Sequence, residues 1–413
     1  MTHVRASTQN ALEHIRYLSE TIGGRGSCTP QEQQAAEYCA NQMAEMGVQD
    51  IRVETFPSMA STYRPFALAF AAGLAGTLVA WLIGSRGGLA FGALLNGLGA
   101  WGMLAETDLA ANWTRWLLPQ CQSRNAVGII RPSGEIENRA VVCAHIDTHR
   151  TPVFYSSPGW QALFTILVGG ALLSMVVSAL AYGLGAVFAW TWVRWIGLAA
   201  AAMEVFALSM SLHADFTPFS PGANDNASAV GAALELGRRL IKEPLARTEV
   251  WLVFTGSEEV GAYGMSAFLD AHAAELGERA VYIALEQVGL GGVNYITSEG
   301  ILIKRPTHPQ ALALARQAKA SLVEFQAGEL DGLAYTDVTV ATRRGLIALP
   351  INTYPRTERG ETSHWHQMSD TLDHIDPQAL ADAHLFAWQV LQTLDQNRHR
   401  VPDKADQDSL LLA

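Results

Sequence analysis

Val250-Trp251-Leu252-Val253-Phe254-Thr255-Gly256-Ser257-Glu258-Glu259 is an apolar run that stops at a turn and two adjacent glutamates. A short run of this kind reads as a buried strand, with the acidic pair at its carboxyl end. Neighbouring side chains at a strand end point in different directions, so one carboxylate can hold a cation while the other handles a proton. An isolated Glu-Glu is usually a solvated pair on a loop. What changes the reading is how many other ligating residues share that position.

Working outward, Ala140 to Ala144 reads as a strand running into His145-Ile146-Asp147, and Ala280 to Leu285 as a strand ending at Glu286. Ser220 to Ser228 is a loop that opens into a helix of small and apolar residues and carries Asp225. Asn125 to Arg131 is expected to be a strand joined to Ala140–Ala144 by the turn Pro132-Ser133-Gly134-Glu135. Thr29 and Glu32 resemble a capping box for a helix to Met46, and Asp376-Pro377 starts a last helix to Leu394. Strands alternating with helices predict an α/β three-layer sandwich with a mostly parallel, mixed central sheet, in which ligands gather at the carboxyl ends of strands. His145, Asp225, Glu258, Glu259, Glu286 and His366 together supply imidazole and carboxylate without thiolate, which suits zinc at an open site.

The apolar residues are unevenly spread. Pro65 to Gly84 and Gly87 to Ala105 each lack Asp, Glu, Lys and Arg, and only Ser85-Arg86 separates them. About twenty helical residues span roughly 30 Å, the thickness of a bilayer's hydrocarbon core. A second block runs from Gln161 to about Trp190 and on to Leu212, broken by Tyr182-Gly183-Leu184-Gly185 and carrying Trp190, Trp192, Arg194 and Trp195 in the manner of an interface. The expectation is four transmembrane helices in two hairpins. Gly88 and Gly92 allow close helix approach, and Glu204 should face other helices, in contact with Asn96 or Arg194. The chain then divides into 1–60, 113–159 and 214–400 of one domain, hairpins at 61–112 and 160–213, and a tail at 401–413.

With 28 basic against 39 acidic residues, net −11, the composition argues against nucleic-acid binding. Cys28, Cys39, Cys121 and Cys143 have no C-x-x-C spacing and read as buried or free thiols of a reducing compartment. Residues Met1 to Glu20 lack the apolar core of a signal peptide. An even number of crossings puts all three parts of the domain on one side. Arg64, Arg115, Arg124 and Arg150 on the flanks, against little more than Arg86 and Arg194 at the tips, place that side in the cytoplasm.

Ala144-His145-Ile146-Asp147, Gly222 to Ser228, Gly256-Ser257-Glu258-Glu259 and His366 to Thr371 resemble, in order, the M28 peptidases, a family of zinc aminopeptidases and their relatives. Gly24-Arg25 and Thr336-Asp337 leading to Arg344-Gly345-Leu346 extend the likeness. While the apolar runs imply a lipid bilayer as one partner, the resemblance implies a zinc-peptidase-like fold and a peptide substrate. It implies two Zn2+ per chain bridged by Asp225, with Glu259 and His366 on one ion and His145 and Glu286 on the other. Glu258 would then be general base and acid, Asp147 the partner of His145's second ring nitrogen, and Asp225-Asn226 a cis peptide. Glu286 departs from the family's Asp by one methylene, about 1.5 Å, and His364 is a rival to His366. The leading expectation is a membrane-embedded aminopeptidase. A glutaminyl-cyclase-like single-zinc enzyme and an inactive membrane scaffold or receptor are the alternatives.

Overall fold

A computed structural model of the chain describes residues 2–199, 201–323, 325–355 and 362–397; the expected tail at 401–413 lies outside them. One mixed sheet is built from β1 Gln49–Ser58, β2 Cys121–Ile130, β3 Asn138–His145, β4 Thr248–Thr255, β5 Val281–Glu286, β6 Gly292–Glu299, β7 Arg305–Pro306, β8 Gly328–Asp331 and β9 Ile347–Tyr354. Their order is β1-β2-β4-β3-β5-β9-β6-β7, with β8 also paired to β6. The central strands β4, β3, β5 and β9 are parallel. The pairs β1–β2, β2–β4, β9–β6 and β6–β7 are antiparallel. The sheet is mixed, as expected, with parallel pairing at its centre and again between β6 and β8.

β2 and β3 do not form the expected hairpin. Every residue of β4 is buried, and a strand apolar on both faces takes a central place, here between the two. The turn after β2 instead bonds to the segment before β4, with Ser133 N donating to Leu245 O at 2.8 Å.

The helices are α1 Thr2–Arg16, α2 Pro30–Met46, α3 Tyr63–Ile83, α4 Arg86–Thr107, α5 Trp113–Leu117, α6 Pro158–Phe188, α7 Ala201–Asp215, α8 Ala229–Lys242, α9 Tyr263–Leu276, α10 Pro309–Ala320, α11 Thr339–Arg343 and α12 Pro377–Gln396. Alternation along β4 separates two cores. Val250, Leu252 and Phe254 join residues of α2, α8, α10 and α12 on one face. Trp251 and Val253 join Met265 and Phe268 of α9 and Val340 of α11 on the other.

Between these elements stand α3, α4 and α6, of 21, 22 and 31 residues, each long and apolar enough to cross a membrane. The expected break at Tyr182 to Gly185 is absent, because α6 runs through it, and the expected fourth span is shorter. After the turns Thr191–Trp195 and Gly197–Ala199, α7 has 15 residues, about 22 Å at helical rise. The bundle turns its apolar side chains outward, with Leu82 69% exposed and Ile166 68%. Asn96, Ser174 and Glu204 are buried inside it. That inversion of the water-soluble pattern is what a lipid surround favours. The close approach of α3 to α4 runs through Gly76 and Gly92: a β-carbon on either would lie within 2.8 Å of the other's carbonyl oxygen. Gly88 faces Ile83 instead. Glu204 touches neither Asn96 nor Arg194; Ser174 Oγ donates to its Oε1 at 2.8 Å.

The cysteines also differ from expectation. Cys28 and Cys121 form a disulfide across 93 residues of sequence, with Cα atoms 6.1 Å apart, while Cys39 and Cys143 are free and buried. Spacing alone hid the pair, because folding places the loop before α2 beside the first residue of β2.

Candidate metal centre

Strand ends and two loops, one carrying Asp225 and the other His366, deliver the ligating groups to a single crevice. His145 closes β3 and Glu286 closes β5. Glu258 and Glu259 follow β4 through Ser257, whose φ of 55° turns the chain away from the sheet. Asp225 sits in the turn before α8, followed by a cis peptide to Asn226.

Asp225 lies between two imidazoles. Its Oδ1 is 3.3 Å from His145 Nε2, and its Oδ2 is 3.3 Å from His366 Nε2. Glu286 Oε1 also lies 3.3 Å from His145 Nε2, so its longer side chain still reaches the crevice. Glu259 Oε2 is 3.4 Å from His366 Nε2, and Glu258 Oε2 is 4.0 Å from His145 Nε2. His364 points elsewhere, stacked on His374 with its Nδ1 2.9 Å from Ser369 Oγ. His145, Asp225 and Glu286 form one group close enough to share an ion, and His149, Glu259 and His366 form another. Asp225 Oδ1 and Glu259 Oε1 are buried without a hydrogen-bond partner. Orphaned acceptors in a set of imidazoles and carboxylates fit a zinc-type cation.

His145 Nδ1 is 3.0 Å from the Asp147 carbonyl and 3.6 Å from its carboxylate. A proton on Nδ1 leaves the Nε2 lone pair facing Asp225 and Glu286. The Asp147 carboxylate has closer partners: it accepts from Ser27 Oγ at 2.6 Å, Glu258 N at 3.0 Å and Glu259 N at 3.2 Å. It thereby fixes the loop that carries both glutamates. Asp370 does the same for the Asp225 loop, accepting from Asn224 N and Asp225 N at 2.7 and 3.0 Å.

Burial and mutual repulsion raise the proton affinity of this acidic pocket. Burial pushes Glu258 and Glu259 well above the ordinary glutamate value, and Glu286 above it as well. Burial also acts to raise Asp225, but the imidazoles of His145 and His366 close beside it outweigh burial and hold the group below the usual range. Burial would lower His145, yet Glu286 and Glu258 beside it keep it well above the usual histidine value. His366 is lowered, chiefly by burial. A cation replaces several competing protons at once.

Three supporting residues escaped notice in the sequence. His149 stacks on His366 at 3.6 Å between ring centroids, and its Nε2 is 3.2 Å from the hydroxyl of Tyr63, the first residue of α3. Tyr155 stands edge-on to His366 at 4.6 Å. Glu32 was read as half of a capping box, but its carboxylate accepts from Cys28 N at 2.7 Å and Ser257 N at 2.8 Å, bracing the turn before Glu258. The His145-to-His149 spacing of four was the available signal for the first; the others depend on tertiary contact.

Arg25 ties the ligand loops together. Its guanidinium, 1% exposed, donates to the carbonyls of Ile146, Leu18, Gly23, Pro221 and Gly222 at 2.8–3.0 Å. Lysine has fewer donors and no planar fork. Arg25→Lys is expected to destabilise the fold by about 3 kcal/mol by leaving buried carbonyls unpaired. Thermal unfolding of the full chain in detergent measures this, and an unchanged midpoint refutes it.

Residues 200–391 match the profile of peptidase family M28. Aminopeptidase YwaD of Bacillus subtilis is 27% identical over 190 residues, covering 42% of this chain and 38% of that protein. The uncharacterized protein YfbL of Escherichia coli is 30% identical over 192 residues, covering 40% of this chain and 58% of its own length. The chain thus spans less than two thirds of each. In fold, the chain resembles BSAP, a zinc aminopeptidase from Bacillus subtilis, with a TM-score of 0.54 at 15% identity, covering 93% of this chain and 94% of that one. A Bacteroides thetaiotaomicron glutaminyl cyclase gives 0.52 at 15%, covering 93% and 97%.

Proposed function

We propose, from the match of residues 200–391 to the profile of peptidase family M28, that the chain is a zinc-dependent aminopeptidase held in a membrane by its inserted helices. The observation that carries this reading is Asp225 reaching His145 and His366 at 3.3 Å each, with Glu286, Glu259 and Glu258 around them. In this reading His145 and Glu286 would hold one ion, Glu259 and His366 would hold the other, and Asp225 would contribute to both. Zinc, when bound there, supplies Lewis acidity toward a peptide carbonyl and toward water.

Glu258 takes the proton of the attacking water and returns it to the leaving amine. Asp147 positions that base through its main-chain nitrogen. The site is assembled from 1–60, 113–159 and 214–400, with helical insertions at 61–112 and 160–213. The amino-end preference rests on the aminopeptidase relatives. The test is incubation of the purified, zinc-loaded full chain with a peptide bearing a free amino end, its N-acetylated form and a glutaminyl peptide. Release of the first residue from the free-amine peptide alone supports the reading. Cleavage of none, or cyclisation of the glutaminyl peptide instead, ends it.

The Cys28–Cys121 disulfide favours an oxidising compartment for the catalytic domain. It weighs against the cytoplasmic side that the arginines suggested, since those are few and several are paired, as Arg64 is to Asp215 at 2.9 Å and Arg115 to Glu106 at 2.8 Å. Thiol-reactive labelling of the denatured, unreduced protein should modify two of its four cysteines and, after reduction, all four. Four modified thiols before reduction would refute the oxidised pair.

A further inference from the structure

The two imidazoles beside Asp225 are held in different ways. His145 has its Nδ1 3.0 Å from the Asp147 carbonyl, a contact that fixes the turn of its ring. His366 has no such anchor: its Nδ1 is buried and without a hydrogen-bond partner among the described residues. Aromatic rings take that place. His149 lies flat against His366, with centroids 3.6 Å apart and planes 12° from parallel, and Tyr155 meets it edge-on at 4.6 Å.

His149 is itself pinned at both ring nitrogens. Its Nδ1 is 2.6 Å from the Arg150 carbonyl, which can only accept, so the proton sits on Nδ1. Nε2 then accepts from the hydroxyl of Tyr63 at 3.2 Å. By distance alone His149 could share an ion with Glu259 and His366. Its orientation decides otherwise, because an imidazole donates within its own plane and two parallel planes do not converge on one point. The ring therefore supports a ligand instead of being one. Tyr63, 7% exposed, is the first residue of α3 and stands edge-on to His149 at 5.5 Å and to Phe154 at 6.0 Å. The first inserted helix thus begins in the wall of the crevice, one ring away from His366.

We propose that His149, held in plane by Tyr63, is a positioning residue for His366, so that the ion shared by Glu259 and His366 depends on the first side chain of α3. This rests on the metal reading above. It goes further in making an inserted helix part of the metal centre as well as an anchor, and in making the two ions unequal in what supports them.

The test is competition for zinc between the metal-free full chain in detergent and a zinc indicator at fixed pH, which reads the affinity of each ion. His149→Ala is expected to weaken one ion roughly tenfold and to spare the other. His149→Phe, which keeps a ring against His366, should recover most of that loss, and Tyr63→Phe should show a smaller one. In a His366→Ala background, removing His149 should change nothing further. If His149→Ala does not fold, His149→Gln, polar and without a ring, takes its place. Zinc affinities unchanged in the His149 variants overturn the proposal and leave the metal reading standing. So does a loss that phenylalanine fails to recover, or one equal with and without the His366 imidazole. A wild-type chain that binds no zinc ends both.

Discussion

Glu258→Gln should lower kcat for peptide hydrolysis by about 10³-fold while the protein keeps its metal and its melting temperature. Glutamine preserves the shape of the side chain and the main-chain bond to Asp147 Oδ1 at 3.0 Å, but it cannot accept a proton from water. Glu258 is also the carboxylate farthest from the imidazoles, at 4.0 Å from His145 against 3.3 or 3.4 Å for Asp225, Glu286 and Glu259. Losing it should therefore spare ion binding. Steady-state kinetics beside elemental analysis decides the matter: wild-type turnover in the variant, or loss of zinc with loss of activity, would take the role of base away from Glu258.

Chelation should bring activity to background and, as pH rises, destabilise the protein more and more. In the metal-free chain Glu258, Glu259 and Glu286 hold protons more tightly than they would unfolded. The stability lent by that preference is whole below the ordinary glutamate value and is lost as pH climbs into the raised range. His145, raised by its acidic neighbours, follows the same sign. Asp225 and His366, both lowered, go the other way, so the larger acidic group sets the net slope. A bound cation removes the need for those protons. The melting temperatures of metal-free and zinc-loaded protein should thus diverge between about pH 5 and 8, and curves that stay parallel would contradict this account.

Much of this was legible in the residues because strand ends declare themselves. Apolar runs stopping at His145, Glu258 and Glu286 marked both the sheet and the crevice above it. What stayed hidden depended on partners far apart in the chain. The insertion of β4 between β2 and β3 follows from burial on both faces, which an apolar run alone does not reveal. The Cys28–Cys121 bond and the bracing of Ser257 by Glu32 join residues 93 and 225 positions apart. His149 gains a place at the site only through its stacking on His366. The fourth apolar run was read as one span because composition does not register the turns at Thr191–Trp195 and Gly197–Ala199.

Tyr63 opens α3 while touching His149, and Tyr155 leads into α6 while touching His366. The 31 residues of α6 extend about 46 Å, well beyond a hydrocarbon core of roughly 30 Å. Such a rod accommodates a thinner or thicker lipid layer by leaning. In the proposed reading, that lean would reach the imidazole of His366 through the ring of Tyr155.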